Sequence, residues 1–166
     1  MKKQIIRSMV LSIMGVAAAQ TGLASEICRY YGNETISSID CVGLATLNGT
    51  TVLGNVHVIG SLKANSAKMD SLTLTGTADL SQRSEVRSYA DVIGALSLTQ
   101  SIIGGPVTIY SNTPTPYLYL FSSSHINNSV TFSGVSGVVK EEGGSTVSGQ
   151  INNGKADTGS NGKLSR

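Results

Sequence analysis

Apolar and polar residues alternate along short stretches of this chain. Val56-His-Val58, Leu72-Thr-Leu74 and Val130-Thr-Phe132 each place two apolar side chains on one side of an extended segment and a polar one on the other. That period of two marks a half-buried strand. Segments of this kind predict strands over 52–59, 71–75, 91–99, 107–111, 117–122, 129–133 and 146–151. Helical spacing is scarce, and past the N-terminal stretch only 64–69 allows a turn of helix. Gly60, Gly76 and Gly94 lie in or beside such strands, at intervals of 16 and 18 residues.

Many short strands fit two architectures: an antiparallel sandwich or barrel, and a parallel β-helix in which equivalent positions stack from rung to rung. Hairpins favour Asn-Gly between strands. Here only Asn48-Gly49, Asn153-Gly154 and Asn161-Gly162 occur, the last two at or beyond the end of the repeats. The expected fold is all-β, a single-stranded parallel β-helix (β-solenoid) over residues 43–151. At about 18 residues per rung it has about six short rungs, a rod about 30 Å long at the usual strand spacing. Val, Leu and Ile fill the bore, and Ser, Thr and Asn face water. Ser111-Asn-Thr-Pro-Thr-Pro116 breaks the period and is expected to bulge outward. Each end of the rod exposes a strand edge, a place where another chain can pair.

Composition supports a narrow interior. The 166 residues include no Trp and only two Phe, Phe121 and Phe132, whereas thicker cores lean on aromatic side chains. Lys2, Lys3 and Arg7 precede an apolar run from Met9 to Ala19, and small residues follow to Ala24 and Ser25. This reads as a secretory signal peptide over 1–25. The run is shorter than the about 20 residues a spanning helix needs, so no stable membrane span is expected after cleavage. Three of the 12 Lys and Arg residues leave with that segment and none of the 10 Asp and Glu, which brings the formal charge near −1. The basic balance belongs to the export signal, and nucleic acid, which needs a basic face, is not an expected partner.

Cys28 and Cys41 are the only cysteines. In an exported chain the pair reads as a disulfide, contributing about 3 kcal/mol in the chain-entropy model. It pins residues 26–42 as a cap segment over the N-terminal end of the rod. There is no C-x-x-C, and His57 and His125 are distant in sequence, so no metal site or cofactor is expected. Residues 152–166 are polar and rich in Gly, Asn and Ser, and read as a disordered tail.

The chain carries no G-x-S-x-G, H-E-x-x-H, P-loop or G-x-G-x-x-G. Glycoside hydrolysis needs two facing carboxylates. Asp79 and Asp91 are the pair to consider on a stacked face, and they read more simply as solvated turn residues, so no enzyme is expected. His57 should point outward between Val56 and Val58, and His125 reads as a loop residue. Thr73, Thr75 and Thr77 form a threonine run that does not recur from rung to rung. Lys140-Glu-Glu-Gly-Gly144 is a charged turn. The candidate binding patch is Tyr117, Tyr119 and Phe121, which share one side of a strand whose other side carries Leu118 and Leu120.

Val56-His-Val-Ile-Gly60-Ser-Leu-Lys-Ala64, Leu74-Thr-Gly76-Thr-Ala-Asp-Leu80, Val92-Ile-Gly94-Ala-Leu96 and Val147-Ser-Gly149-Gln-Ile151 share a glycine-punctuated rhythm. Over about two thirds of the chain this resembles the bactofilin-type polymer-forming domain. The resemblance implies a right-handed parallel β-helix that polymerises end to end without nucleotide, and it carries over no catalytic residues. The export signal, the cysteine pair and the Pro114/Pro116 interruption depart from that family. The expected function is that of an exported, non-enzymatic structural solenoid of the bacterial cell envelope. It would reside in the periplasm, at the cell surface or outside the cell, and self-association is its first expected contact. The alternative is a secreted adhesin or a glycan- or protein-binding module that uses a lateral face.

Overall fold

Short strands leave their backbone groups unpaired unless a neighbour lies one turn of chain away. The computed structural model, which describes residues 26–111 and 113–159, satisfies them by winding the chain into a parallel β-solenoid with no helix among those residues. The strands are β1 (Glu26–Tyr31), β2 (Thr35–Ile36), β3 (Ile39–Asn48), β4 (Thr51–Asn65), β5 (Lys68–Ser81), β6 (Glu85–Thr99), β7 (Ile102–Ile103), β8 (Val107–Ser111), β9 (Tyr117–Phe121), β10 (His125–Ile126), β11 (Val130–Gly134), β12 (Gly137–Glu141), β13 (Thr146–Val147), β14 (Ile151–Asn152) and β15 (Gly154–Asp157). Every pairing is parallel.

Three ladders make three faces. On the first, Cys28, Ala45, Leu62, Ala78, Leu96, Leu118, Val139 and Ala156 stack in register. The second face stacks Ile36, Val52, Met69, Val86, Ile103, Ile126 and Val147. The third stacks Ile39, Val56, Leu72, Ala90, Val107, Val130 and Ile151. The interior members of these columns are fully buried, and together they are the bore. Over three rungs large and small side chains alternate between neighbouring columns of the first face, Ala45 with Leu47, Leu62 with Ala64 and Ala78 with Leu80, and the next two rungs place Leu at both, Leu96 with Leu98 and Leu118 with Leu120. This interdigitation fills a narrow bore at close-packed density.

The solenoid has about eight rungs where the sequence predicts about six. The two extra rungs are the segments read as cap and tail. Glu26–Tyr31 pairs along its whole length with 43–48, so the proposed boundary at 42/43 falls inside β3. At the other end Gly154–Asp157 pairs with β12, so the ladder runs past 151. Both segments are polar because they have few neighbours to bury against. With ~4.8 Å per rung the rod is about 38 Å long. The signal-peptide reading of 1–25 and the tail reading beyond 159 lie outside the described residues. The turn of helix allowed at 64–69 is absent: Ala64 and Met69 both enter the bore, from strands on either side of the corner at Ser66.

Two corners explain the sequence rhythm. Between the third and first faces the chain turns without breaking its pairing, at Gly43, Gly60, Gly76 and Gly94, with φ between 133° and 139°. These glycines stack directly on one another. A Cβ on Gly76 would lie 1.9 Å from the Gly60 carbonyl oxygen, and one on Gly94 2.0 Å from that of Gly76. Between the first and second faces, a buried polar residue follows each left-handed corner: Thr50, Ser84, Ser101, Ser124 and Ser145, with Ala67 in the same column. The Ser145 hydroxyl accepts the Ser124 N–H at 3.0 Å and donates to the Glu142 carbonyl at 2.7 Å. Ser124 does the same for the Ser101 N–H at 3.3 Å and the Phe121 carbonyl at 2.6 Å. Each hydroxyl thus joins two rungs and satisfies backbone groups that would otherwise be buried unpaired.

Candidate functional site

Chemistry-bearing side chains can only stand outside the bore, so the register decides which of them meet. Cys28 and Cys41 are the exception. They face inward from the first and third faces and form a disulfide with Cα atoms 6.3 Å apart. The bond closes the first rung across its interior and fastens β1 to the body of the rod.

The register separates the carboxylates. Asp79 lies on the outer side of the first face, in line with Lys63 and Ser97, while Asp91 lies on the third face in line with Thr73 and Thr108. They do not form a facing pair. His57 stands outward on the third face, with Nδ1 3.0 Å from Asp40 Oδ1 of the preceding rung. His125, read as a loop residue, starts β10 on the second face, and its Nδ1 lies 3.0 Å from the Thr146 hydroxyl. Thr73 and Thr75 belong to the third face and Thr77 to the first, because Gly76 turns the chain between them. Among the described residues no three His, Cys, Asp or Glu side chains gather as a metal site would require.

Tyr117, Tyr119 and Phe121 project from β9 on the outside of the first face, over Leu118 and Leu120 in the bore. Ring centroids are 5.8 Å and 5.9 Å apart with interplanar angles of 25° and 11°. Parallel rings this close cannot lie edge to edge in one plane, so their faces lean over one another in offset stacking. Tyr117 and Tyr119 remain partly exposed. In the next rung Lys140 lies in register with Tyr119, and its ammonium pairs with Asp157 of the rung beyond. The hydrogen bond to Asp157 holds the Lys140 pKa above its usual 10.5.

The sequence reading misses a groove of about 1020 Å³ where the first and second faces meet. Gln82, Arg83, Gln100 and Ser122 stand along it at the left-handed corners. Its signal in the sequence is weak: a polar residue or pair just before the buried Ser84, Ser101 and Ser124.

No family model, curated protein or solved structure matches this chain.

Proposed function

We propose that this chain is an exported, non-enzymatic structural solenoid of the bacterial cell envelope that assembles through the ends of its rod. The observation that carries this reading is the state of the outermost strands. Among the described residues β1 pairs only with β3, and β15 only with β12. Each end keeps a strand edge of the kind that templates pairing with another chain. The internal disulfide suits an oxidising compartment outside the cytoplasm. The separation of Asp79 from Asp91, and the mutual stacking of the aromatic row, favour a rod used for its shape.

The test is the mass of the chain from Glu26 onward, disulfide intact, by light scattering across a concentration series, with negative-stain microscopy of the same samples. The Gly137 N–H donates to the Asn153 carbonyl at 3.1 Å. Alternation along a parallel strand then turns the Ala156 N–H outward. Ala156→Pro removes that outward donor and leaves the inner ladder intact. Concentration-dependent rods that this substitution suppresses support the reading, and a strict monomer at all concentrations overturns it.

A second reading, a binding module that uses a lateral face, is favoured by the corner groove rather than by the aromatic row.

A further inference from the structure

Six residues with a Cβ adopt positive φ at the corners between the first and second faces: Ser66 (51°), Gln82 (53°), Arg83 (65°), Gln100 (52°), Ser122 (53°) and Ser123 (63°). The same corner toward either end of the rod is made from glycine, at Gly49 and at Gly143-Gly144. A left-handed conformation is unfavourable for any residue carrying a Cβ, and glycine adopts it freely. Glycine is therefore sufficient for this corner, and the middle rungs keep side chains there against the conformational preference. All six line the one groove. Backbone strain gathered at a single surface feature points to function at that feature.

The groove has a definable chemistry. The Gln82-Arg83 and Ser122-Ser123 corners each contain one residue more than the Gln100 corner between them. Hydroxyl, amide and guanidinium groups then recur from rung to rung along the rod, at about 4.8 Å per step. An extended chain of pyranose sugars advances by roughly one unit over that same step. Ile102, 42% exposed, supplies an apolar surface for sugar C–H groups. Lys68, Arg83 and a single acid, Glu85, line it, which leaves one positive charge in excess. A guanidinium is well matched to a carboxylate.

We propose that this groove binds an extended acidic saccharide, a chain of pyranose units bearing carboxylates. The site is distinct from the rod ends and from Tyr117, Tyr119 and Phe121, so it stands whether or not the rods assemble.

The test titrates hexagalacturonate, and separately neutral cellohexaose, into the chain from Glu26 onward, by calorimetry and by amide chemical shifts. Binding of the acidic hexamer is expected, with shifts centred on residues 82–85, 100–102 and 122–124. Gln100→Gly and Arg83→Gly should each weaken it at least tenfold while raising the denaturation midpoint, because both relieve the backbone. Tyr119→Ala should leave the affinity unchanged. A loss of binding in variants that are more stable separates recognition from folding. Absence of binding, equal binding of the neutral hexamer, or full affinity in both glycine variants would overturn the proposal.

Discussion

Gly76→Ala isolates the constraint that sets the rhythm of this sequence. The new methyl carbon would lie 1.9 Å from the Gly60 carbonyl oxygen and 2.9 Å from its carbonyl carbon. Neither is the end of a flexible side chain, so the ladder itself must shift. The backbone sits at φ 135°, a region that L side chains rarely adopt. That conformation costs about 1–3 kcal/mol. Forcing a methyl group into a packed site costs about 1–3 kcal/mol more. Relief of unfolded-state entropy returns only about 0.4–1 kcal/mol. The net loss is about 1–5.5 kcal/mol, set against the 5–15 kcal/mol typical of a domain. Gly32 is the control: it also has positive φ, 79°, but nothing lies within 4 Å of the point its methyl group would occupy. Gly32→Ala should cost only the left-handed penalty of about 1–2 kcal/mol. Urea denaturation followed by far-UV circular dichroism reads both. At about 1.5 kcal/mol per molar urea, Gly76→Ala should lower the midpoint by roughly 0.7–3.7 M. A Gly76→Ala midpoint no lower than that of Gly32→Ala would refute the account of stacked corners.

Three further outcomes follow from the same geometry. Reducing the Cys28–Cys41 disulfide should remove about 3 kcal/mol, the entropy of closing its short loop; a urea midpoint unmoved by dithiothreitol would contradict this. Ser124→Ala should cost about 1–3 kcal/mol, because the Ser101 N–H loses its buried acceptor, and faster hydrogen exchange at the Ser101 amide would localise the loss. Lys140 has its pKa raised by Asp157, so the pair's contribution is full below pH 10.5 and fades as pH rises through the folded-state value. Lys140→Met should remove that alkaline fading, and identical pH profiles for the variant and the parent chain would show that the pair is not coupled to folding.

The fold class was legible because its signals are local. Alternation in Val56-His-Val58 and the spacing of Gly60, Gly76 and Gly94 each reflect one strand and one corner. The ends were harder to read. β1 and β15 have partners on one side only, and the bore columns continue through them as Cys28 and Tyr30 and as Ala156, without the Leu and Val that mark a strand in the middle. The glycine rhythm is also interrupted after Gly94 for a physical reason, and returns at Gly134, in register with Ser111. In the next rung the equivalent position is Ser111, where the chain leaves the corner through the loop to Pro116 and so avoids the crowded stack. Phe132 then occupies the bore against Gly137 and Gly154, where an added Cβ would lie 2.1 Å and 2.6 Å from its ring. Those two glycines look like turn residues in the sequence but make room for a ring. The corner groove was illegible because it depends on comparing corner lengths between rungs whose register only the fold reveals.

The two kinds of corner divide the work of the rod. At the stack through Gly60, Gly76 and Gly94 each carbonyl occupies the space a side chain would need, so the position carries no chemistry. At the corner between the first and second faces the turn is held from beneath. Ser84, Ser124 and Ser145 hydroxyls bond back to the rung they close and to the rung before. The residues above that hydroxyl are left free to differ in number and in side chain without loss of a backbone hydrogen bond. The column runs beneath glycine corners as well, with Ser145 after Gly143-Gly144 and Thr50 after Gly49, so the turn is held whichever residues make it. Anchoring from inside is what makes a functional edge possible on a rod whose faces are otherwise filled by its own stacking.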